Sequence, residues 1–140
     1  MALVPSYLDQ YDINIFGSIK GVIGMEGIYD IPLFVKDYPE TKDDFISLAF
    51  GDNETEWKLA SPYYYIRKEA SSIGYLVIHS LQDELVNLPQ SQTYANHLSS
   101  FINNVTLDVS LPGCHFCVIR LPSFFDLIAD FIEIIEIQKN

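Results

Sequence analysis

The feature that most constrains the fold is an uninterrupted apolar run at residues 75–78 (YLVI), inside a strand-like segment at residues 73–79. Side chains of a strand alternate between two faces, so a run that is apolar at every position indicates a parallel strand covered on both sides. A helix is predicted at residues 89–103 and an alternating strand, near a sheet edge, at residues 105–111. The apolar face of that helix is formed by Tyr94, Ala95, Leu98, Phe101 and Ile102.

Three further elements follow from composition and spacing. Residues 20–29 form a first apolar strand, with a turn at residues 29–32. A helix is expected at residues 41–50, from a capping-box-like start to Gly51. A last helix at residues 124–137 has one acidic stripe, made of Asp126, Asp130, Glu133 and Glu136. We therefore expect an α/β fold with about three mostly parallel strands and flanking helices, in a domain at residues 20–140 preceded by an extension at residues 1–19.

Charge and cysteine content limit the possible partners and compartments. The formal net charge of -11 disfavours nucleic acid and anionic membranes, and four acids in the last helix exclude a membrane-spanning segment. The amino terminus does not resemble a signal peptide. Cys114 and Cys117 are too few and too close together to indicate a secreted disulfide fold. We expect no nucleic-acid or membrane partner and a reducing, cytoplasmic location.

Two candidate catalytic residues follow predicted strands. Asp83 comes just after the second strand and His115 just after the third, and reactive groups of open parallel sheets gather at such carboxyl ends. An acid beside a histidine fixes the tautomer of the imidazole and stabilises the imidazolium. An exposed aspartate and an unrelated loop histidine fit the spacing equally well, and Glu84 could be the acid instead. His79 is expected to make a buried hydrogen bond, and His97 to be exposed on its helix.

Other motifs point to ordinary structural roles. The segment 114–117 (CHFC) lacks the second ligand pair of a structural zinc site, so no metal is expected. The tyrosines at residues 63–65 could line an aromatic pocket, but packing is the expected role. Ser18 lies in the nearest approach to a nucleophile elbow, yet Phe16 and Lys20 stand where that strained turn needs small residues. We do not assign Ser18 as a nucleophile.

The segments 21–30 (GVIGMEGIYD), 37–40 (DYPE), 48–50 (LAF) and 79–85 (HSLQDEL) resemble fungal kynurenine formamidases, from about Lys20 to the end of the chain. The resemblance implies the carboxyl-terminal part of an esterase/lipase-type α/β-hydrolase fold, with Asp83 as triad acid and His115 as general base. It implies hydrolysis of N-formyl-L-kynurenine to L-kynurenine and formate, in tryptophan catabolism, with no metal or organic cofactor.

The family's His-Gly-Gly-x-Trp and Gly-x-Ser-x-Gly motifs do not occur in the 140 residues. We therefore expect a truncated hydrolase, inactive alone, that would act on an aryl formamide or ester once completed by a half that bears the nucleophile. The alternative is a non-catalytic remnant that binds a partner, or a second copy, through an exposed sheet edge. A small α/β binding domain of unrelated ancestry is the third possibility.

Overall fold

The computed structural model describes residues 19–65 and 73–137, within which three strands form one sheet. The strands are β1 (Gly21–Met25), β2 (Gly74–Ile78) and β3 (Val105–Asp108), in the order β1-β2-β3, and both pairings are parallel. Ile78 pairs with Met25 on one side and with Asp108 on the other, so the three carboxyl ends lie level. The expected parallel sheet, with the third strand at an edge, is confirmed.

Helical segments connect and cover these strands. They are α1 (Ile31–Asp37), a π-helical turn (Lys42–Ile46), α2 (Ser47–Phe50), α3 (Glu54–Ala60), α4 (Leu88–Ser99) and α5 (Pro122–Ile137), with short 3-10 turns at Pro62–Tyr64 and Val118–Arg120. None of the helices within the described ranges has both the length and the apolarity needed to cross a membrane. The predicted extension, including Ser18, falls outside those ranges except for Ile19.

Alternating side chains of β2 divide the core into two layers. On one face, Val77 packs against the buried side of α4. On the other face, Leu76 and Ile78 pack against α5 and the segment before it. Burial of an aliphatic side chain of this size contributes about 1.5 to 3 kcal/mol. Coverage of both faces explains why the sequence of β2 is continuously apolar. The first layer comprises Tyr29, Ile73, Val77, Ala95, Leu98 and Ile102, and the second Leu76, Ile78, Leu111, Val118, Phe131 and Ile135.

A third apolar cluster lies among the helices between β1 and β2. Ile31, Phe34, Ile46, Trp57 and Val86 form it, and all five are buried. Val86 belongs to the turn after β2, so the cluster joins these helices to the region that carries Asp83. Burial of the Trp57 ring therefore fixes the helical layer beside the candidate site.

Three helix starts differ from the sequence predictions. The segment 29–32 is more than a turn, because the Asp30 side chain accepts a hydrogen bond from Leu33 N and begins α1. Asn53 begins α3 in the same way through Thr55 N. The helix at 41–50 is present, but Thr41 makes no cap and its hydroxyl donates to Tyr38 O.

The remaining boundaries agree to within a few residues. The helix at 41–50 ends at Gly51, whose φ of 75° suits glycine. The first strand ends at Met25 rather than near residue 29. The stripe predicted on α5 is exposed at all four of its acids, Asp126, Asp130, Glu133 and Glu136.

Candidate catalytic site

Asp83 and His115 meet at the carboxyl edge of the sheet. Asp83 lies in the turn that follows β2, and His115 lies in the loop that follows β3. The aspartate Oδ2 is 2.8 Å from the histidine Nδ1. The Asp83 side chain is 0% exposed and the His115 side chain 17%, so the carboxylate is shielded while the ring is accessible. The structure thus places the two predicted residues in contact, and their catalytic role stays a prediction.

The turn after β2 holds the Asp83 carboxylate in place. Its Oδ1 accepts hydrogen bonds from Leu85 N at 2.8 Å and Val86 N at 2.9 Å, which leaves Oδ2 directed at His115. Burial alone would raise the pKa of Asp83, but the hydrogen bonds from Val86, His115 and Leu85 outweigh it and hold that pKa below its usual range. Asp83 is therefore ionised at neutral pH.

The loop that carries His115 is tied to the same turn by three hydrogen bonds. Ser80 Oγ donates to Gly113 O at 2.6 Å, and Gly113 N donates to Gln82 Oε1 at 2.9 Å. His115 N donates to Glu84 Oε2 at 3.2 Å. Glu84 therefore anchors the backbone of the histidine, while Asp83 contacts its ring. Gly113 has a φ of 131°, which a residue with a side chain rarely adopts.

A disulfide bond joins Cys114 to Cys117, one residue before His115 and two residues after it. The close spacing of the two cysteines had indicated a reducing compartment, and the bond was not predicted from the sequence. Sequence separation alone was misleading, because the loop folds back so that Cys117 N donates to Cys114 O at 2.8 Å. The bond closes a small ring of chain around the candidate base.

His79 has the structural role that its sequence predicted. It is 1% exposed, and its Nδ1 shares a 2.9 Å hydrogen bond with Ser91 Oγ on α4. Burial lowers the pKa of His79 and keeps the ring neutral, although its Nε2 is 4.0 Å from Asp83 Oδ2. Of the two imidazole rings near Asp83, His115 is therefore the one that is hydrogen-bonded to its carboxylate.

Two predictions about surface aromatic residues have mixed outcomes. Tyr63 packs as expected, because its ring stacks on the ring of His97 with centroids 4.3 Å apart. His97 is half-buried rather than exposed, since Phe101 also contacts it edge-on at 5.3 Å. The helix face that contains His97 is thus covered by the segment that follows α3.

Glu26 belongs to the site but was not predicted from the sequence. This residue follows β1, has a φ of 45° and is only 2% exposed. Its Oε1 accepts a hydrogen bond from Ser80 N at 3.3 Å. Burial raises the pKa of Glu26 more than that hydrogen bond lowers it, and the charge of Asp83 raises it further. An acid inside an apolar run, immediately after a strand, was the signal in the sequence that could have identified it.

Three side chains of the site could act together as metal ligands. One atom each from Glu26, Asp83 and His115 lie within 4.8 Å of one another. Asp83 Oδ2 and His115 Nδ1 are hydrogen-bonded to each other at 2.8 Å, so a metal ion bound to both atoms would have to replace that hydrogen bond. The sulfurs of Cys114 and Cys117 are bonded to each other and do not offer thiolates in this state.

Comparisons with known proteins agree with this geometry. No protein-family model matches the chain. It is 29% identical over 119 residues to a kynurenine formamidase of Meyerozyma guilliermondii, across 81% of this chain and 45% of that protein. It is 30% identical over 84 residues to a kynurenine formamidase of Scheffersomyces stipitis, across 58% of this chain and 31% of that protein. The chain thus spans less than half the length of the curated relatives it matches.

A solved structure supplies the fold comparison. The acylaminoacyl peptidase of Pyrococcus horikoshii superposes with a TM-score of 0.54 and 22% identity, over 86% of this chain and 20% of that protein. At this identity the likeness concerns the fold, which is that of an α/β-hydrolase. The chain is therefore a distant and partial relative of the kynurenine formamidases, and its parallel sheet with flanking helices is part of an α/β-hydrolase fold.

Proposed function

We propose that this chain supplies the acid and the general base of a serine hydrolase that cleaves N-formyl-L-kynurenine to L-kynurenine and formate. The observation that carries the proposal is the 2.8 Å contact between Asp83 Oδ2 and His115 Nδ1, at the carboxyl ends of two neighbouring parallel strands. The similarity to proteins described as kynurenine formamidases supports this choice of substrate.

The hydrogen-bond pattern defines the direction of proton transfer. With Nδ1–H donating to ionised Asp83, the neutral His115 ring has its lone pair on Nε2, where it can accept a proton from a serine hydroxyl. The serine oxygen then bonds to the formyl carbon, and the imidazolium returns the proton to the aniline nitrogen as the C–N bond breaks. Water, deprotonated by the same ring, would hydrolyse the formyl ester to formate and restore the serine.

The serine would come from a segment that bears the Gly-x-Ser-x-Gly motif, which these 140 residues do not contain. We propose that this segment adds to the outer edge of β1, the side away from β2. Ile23 of β1 is 38% exposed, and a groove beside it is lined by Phe131, Ile132 and Ile135 of α5. An apolar strand edge of this kind favours addition of another strand.

A chimera tests the proposal. The part of the Meyerozyma guilliermondii formamidase that precedes its matching region would be fused to this chain, and kynurenine formation followed by absorbance. We expect turnover that falls about 10⁴-fold in Asp83→Asn and by on the order of 10⁶-fold in His115→Ala. His97→Ala is the matched control, because it removes a histidine outside the site and should retain activity.

The unfused chain gives the second arm of this test. Under the proposal it forms no kynurenine on its own, and His115→Ala changes nothing. Turnover by the unfused chain that His115→Ala abolishes would place a nucleophile within these residues. A folded chimera whose activity is unaffected by Asp83→Asn and His115→Ala would refute the roles proposed for both side chains.

The same β1 edge also suits the alternative role of partner binding without catalysis. The exposed Ile23 and the neighbouring groove on α5 favour it as an association surface. Sedimentation of the unfused chain tests this surface: concentration-dependent self-association that Ile23→Lys abolishes supports a docking edge for a second copy, whereas a monomer at all concentrations contradicts self-association. The turnover of the chimera decides between catalysis and binding alone.

A further inference from the structure

The buried acid Glu26 lies beside the Asp83–His115 pair without being bonded to it. The titratable groups that face its carboxyl are Asp83 and Glu84 after β2, His115 after β3, and Tyr29 before α1. Burial raises the pKa of Tyr29 to about 12, so that group is neutral. The described surroundings of Glu26 therefore contain two other carboxyls and one imidazole.

We infer that Glu26 is a positioning residue of this site, and that it remains a neutral carboxylic acid, protonated on Oε2, while Asp83 is ionised. The inference deepens the proposed function, since it concerns the charge around the proposed general base. Glu26 acts through its neighbours and is not assigned a contact with substrate.

Hydrogen bonding of the two carboxyl oxygens supports the protonated form. Oε1 accepts a hydrogen bond from Ser80 N, as a carbonyl oxygen of a neutral acid can. Oε2 is fully buried and has no hydrogen-bond partner among residues 19–65 and 73–137. A buried anionic oxygen without a donor is costly, and a group in that position normally takes up a proton instead.

Charge around the imidazole supports the same state. One carboxyl oxygen of Glu26 lies within 4.8 Å of a carboxylate oxygen of Asp83 and of a ring nitrogen of His115. Two ionised carboxylates this close repel each other, and the charge of Asp83 accordingly raises the pKa of Glu26. Protonation of Glu26 leaves one negative charge beside the ring, the charge of Asp83.

The backbone around Ser80 gives Glu26 its positioning role. Ser80 N donates to Glu26, Ser80 O accepts from Asp83 N at 3.1 Å, and Ser80 Oγ donates to Gly113 O in the histidine loop. The Glu26 side chain therefore bonds to a residue that contacts both the acid turn and the base loop. The left-handed φ of 45° at Glu26 directs this side chain into the site at a cost in backbone strain.

Carbon-13 NMR of glutamate-labelled protein tests the inference on the 140-residue chain. We expect the Cδ resonance of Glu26, assigned from its loss in Glu26→Gln, to titrate with a midpoint above the usual pH of about 4.3. In Asp83→Asn, where the neighbouring charge is removed, its midpoint should fall. A midpoint in the usual range, or one that Asp83→Asn leaves unchanged, would overturn the inference.

Two further measurements distinguish charge from structure. Glu26→Gln replaces one neutral group by another and keeps an acceptor for Ser80 N, so the amide proton resonance of Ser80 should stay close to its wild-type position. If Glu26 were ionised, the substitution would replace a charged acceptor by a weaker neutral one, and the Ser80 amide proton resonance would move clearly upfield. Stoichiometric Zn²⁺ binding that Glu26→Gln abolishes would instead identify Oε2 as a metal ligand.

These readouts do not depend on hydrolysis. A chimera without turnover would contradict the proposed function and leave the protonation of Glu26 measurable in the unfused chain. An ordinary titration of Glu26 would contradict this inference and leave the roles of Asp83 and His115 intact.

Discussion

The side chain of Gln90 offers the sharpest test of how the site is supported. Its Oε1 accepts hydrogen bonds from Tyr29 N and Asp30 N, both at 2.9 Å, and its Nε2 donates to Asp30 O at 2.9 Å. Gln90 is 1% exposed, so water does not replace these bonds. It thereby joins the first turn of α4 to the start of α1. The neighbouring Ser91 bonds to His79 in the candidate site.

Gln90→Met keeps the volume of the side chain but leaves two buried backbone donors, Tyr29 N and Asp30 N, without partners, whereas Asp30 O still accepts a hydrogen bond from Phe34 N at 2.9 Å. At about 1 kcal/mol each, the low end of the range for such groups, the free energy of unfolding should fall by about 2 kcal/mol. For a chain of this length that corresponds to a decrease in Tm of about 7 °C. Urea unfolding and thermal melts, both followed by circular dichroism, would measure it.

Gln92→Met is the matched control, because Gln92 is exposed on the same helix and the chemical change is identical. It should alter stability by less than about 0.5 kcal/mol. Equal effects of the two substitutions would refute the reasoning, since helix propensity rather than buried hydrogen bonding would then explain the loss at Gln90.

Three further predictions concern the site. Ser91→Ala should destabilise the chain by about 1 to 3 kcal/mol, because it leaves His79 buried without its hydrogen bond, whereas Ser99→Ala on the exposed face should be near neutral; equal unfolding midpoints would contradict this. Replacement of both Cys114 and Cys117 by serine should lower the free energy of unfolding by about 2 kcal/mol, as expected for so short a closed loop, yet preserve the contact between Asp83 and His115 because three hydrogen bonds still hold the loop. Loss of the NMR signal of the His115 Nδ1 proton in that variant would show that the contact requires the disulfide. Because the folded-state pKa of Glu26 is raised, this carboxyl ionises in the unfolded state first, above about pH 4.3, and the stability of the wild type relative to Glu26→Gln should fall with rising pH until the folded carboxyl also ionises. A stability difference between the two proteins that does not depend on pH would contradict this.

The central β2–α4–β3 unit was predictable from the sequence because its signals are local and strong. Residues 75–78 are apolar on both faces, and α4 repeats its apolar residues at helical spacing. The contact of Asp83 with His115 followed from the rule that parallel strands present their carboxyl ends at one edge. Its catalytic role remains a prediction.

Other features depend on contacts that no local pattern encodes. α3 has little apolar periodicity and is held mainly by Trp57, which packs against residues distant in sequence. Glu26 is buried because Ser80, 54 positions away, contacts it. The Cys114–Cys117 bond depends on a tight fold of the loop that spacing alone does not reveal. These features required the tertiary structure.

The order of the strands has a consequence for how the chain folds. Gly21 of β1 pairs with Gly74 of β2, 53 positions away, whereas Tyr75 pairs with Val105 after only 30. Closing the 30-residue connection between β2 and β3 costs about 0.5 kcal/mol less chain entropy than closing the 53-residue connection between β1 and β2. Helix α4 lies within the shorter connection and reduces its flexible length further. Pulse-labelled hydrogen exchange should therefore detect protection of β2 and β3 before β1. Asp83 and His115 both belong to the unit that closes first, so their contact can form before the strand that delivers Glu26 has docked.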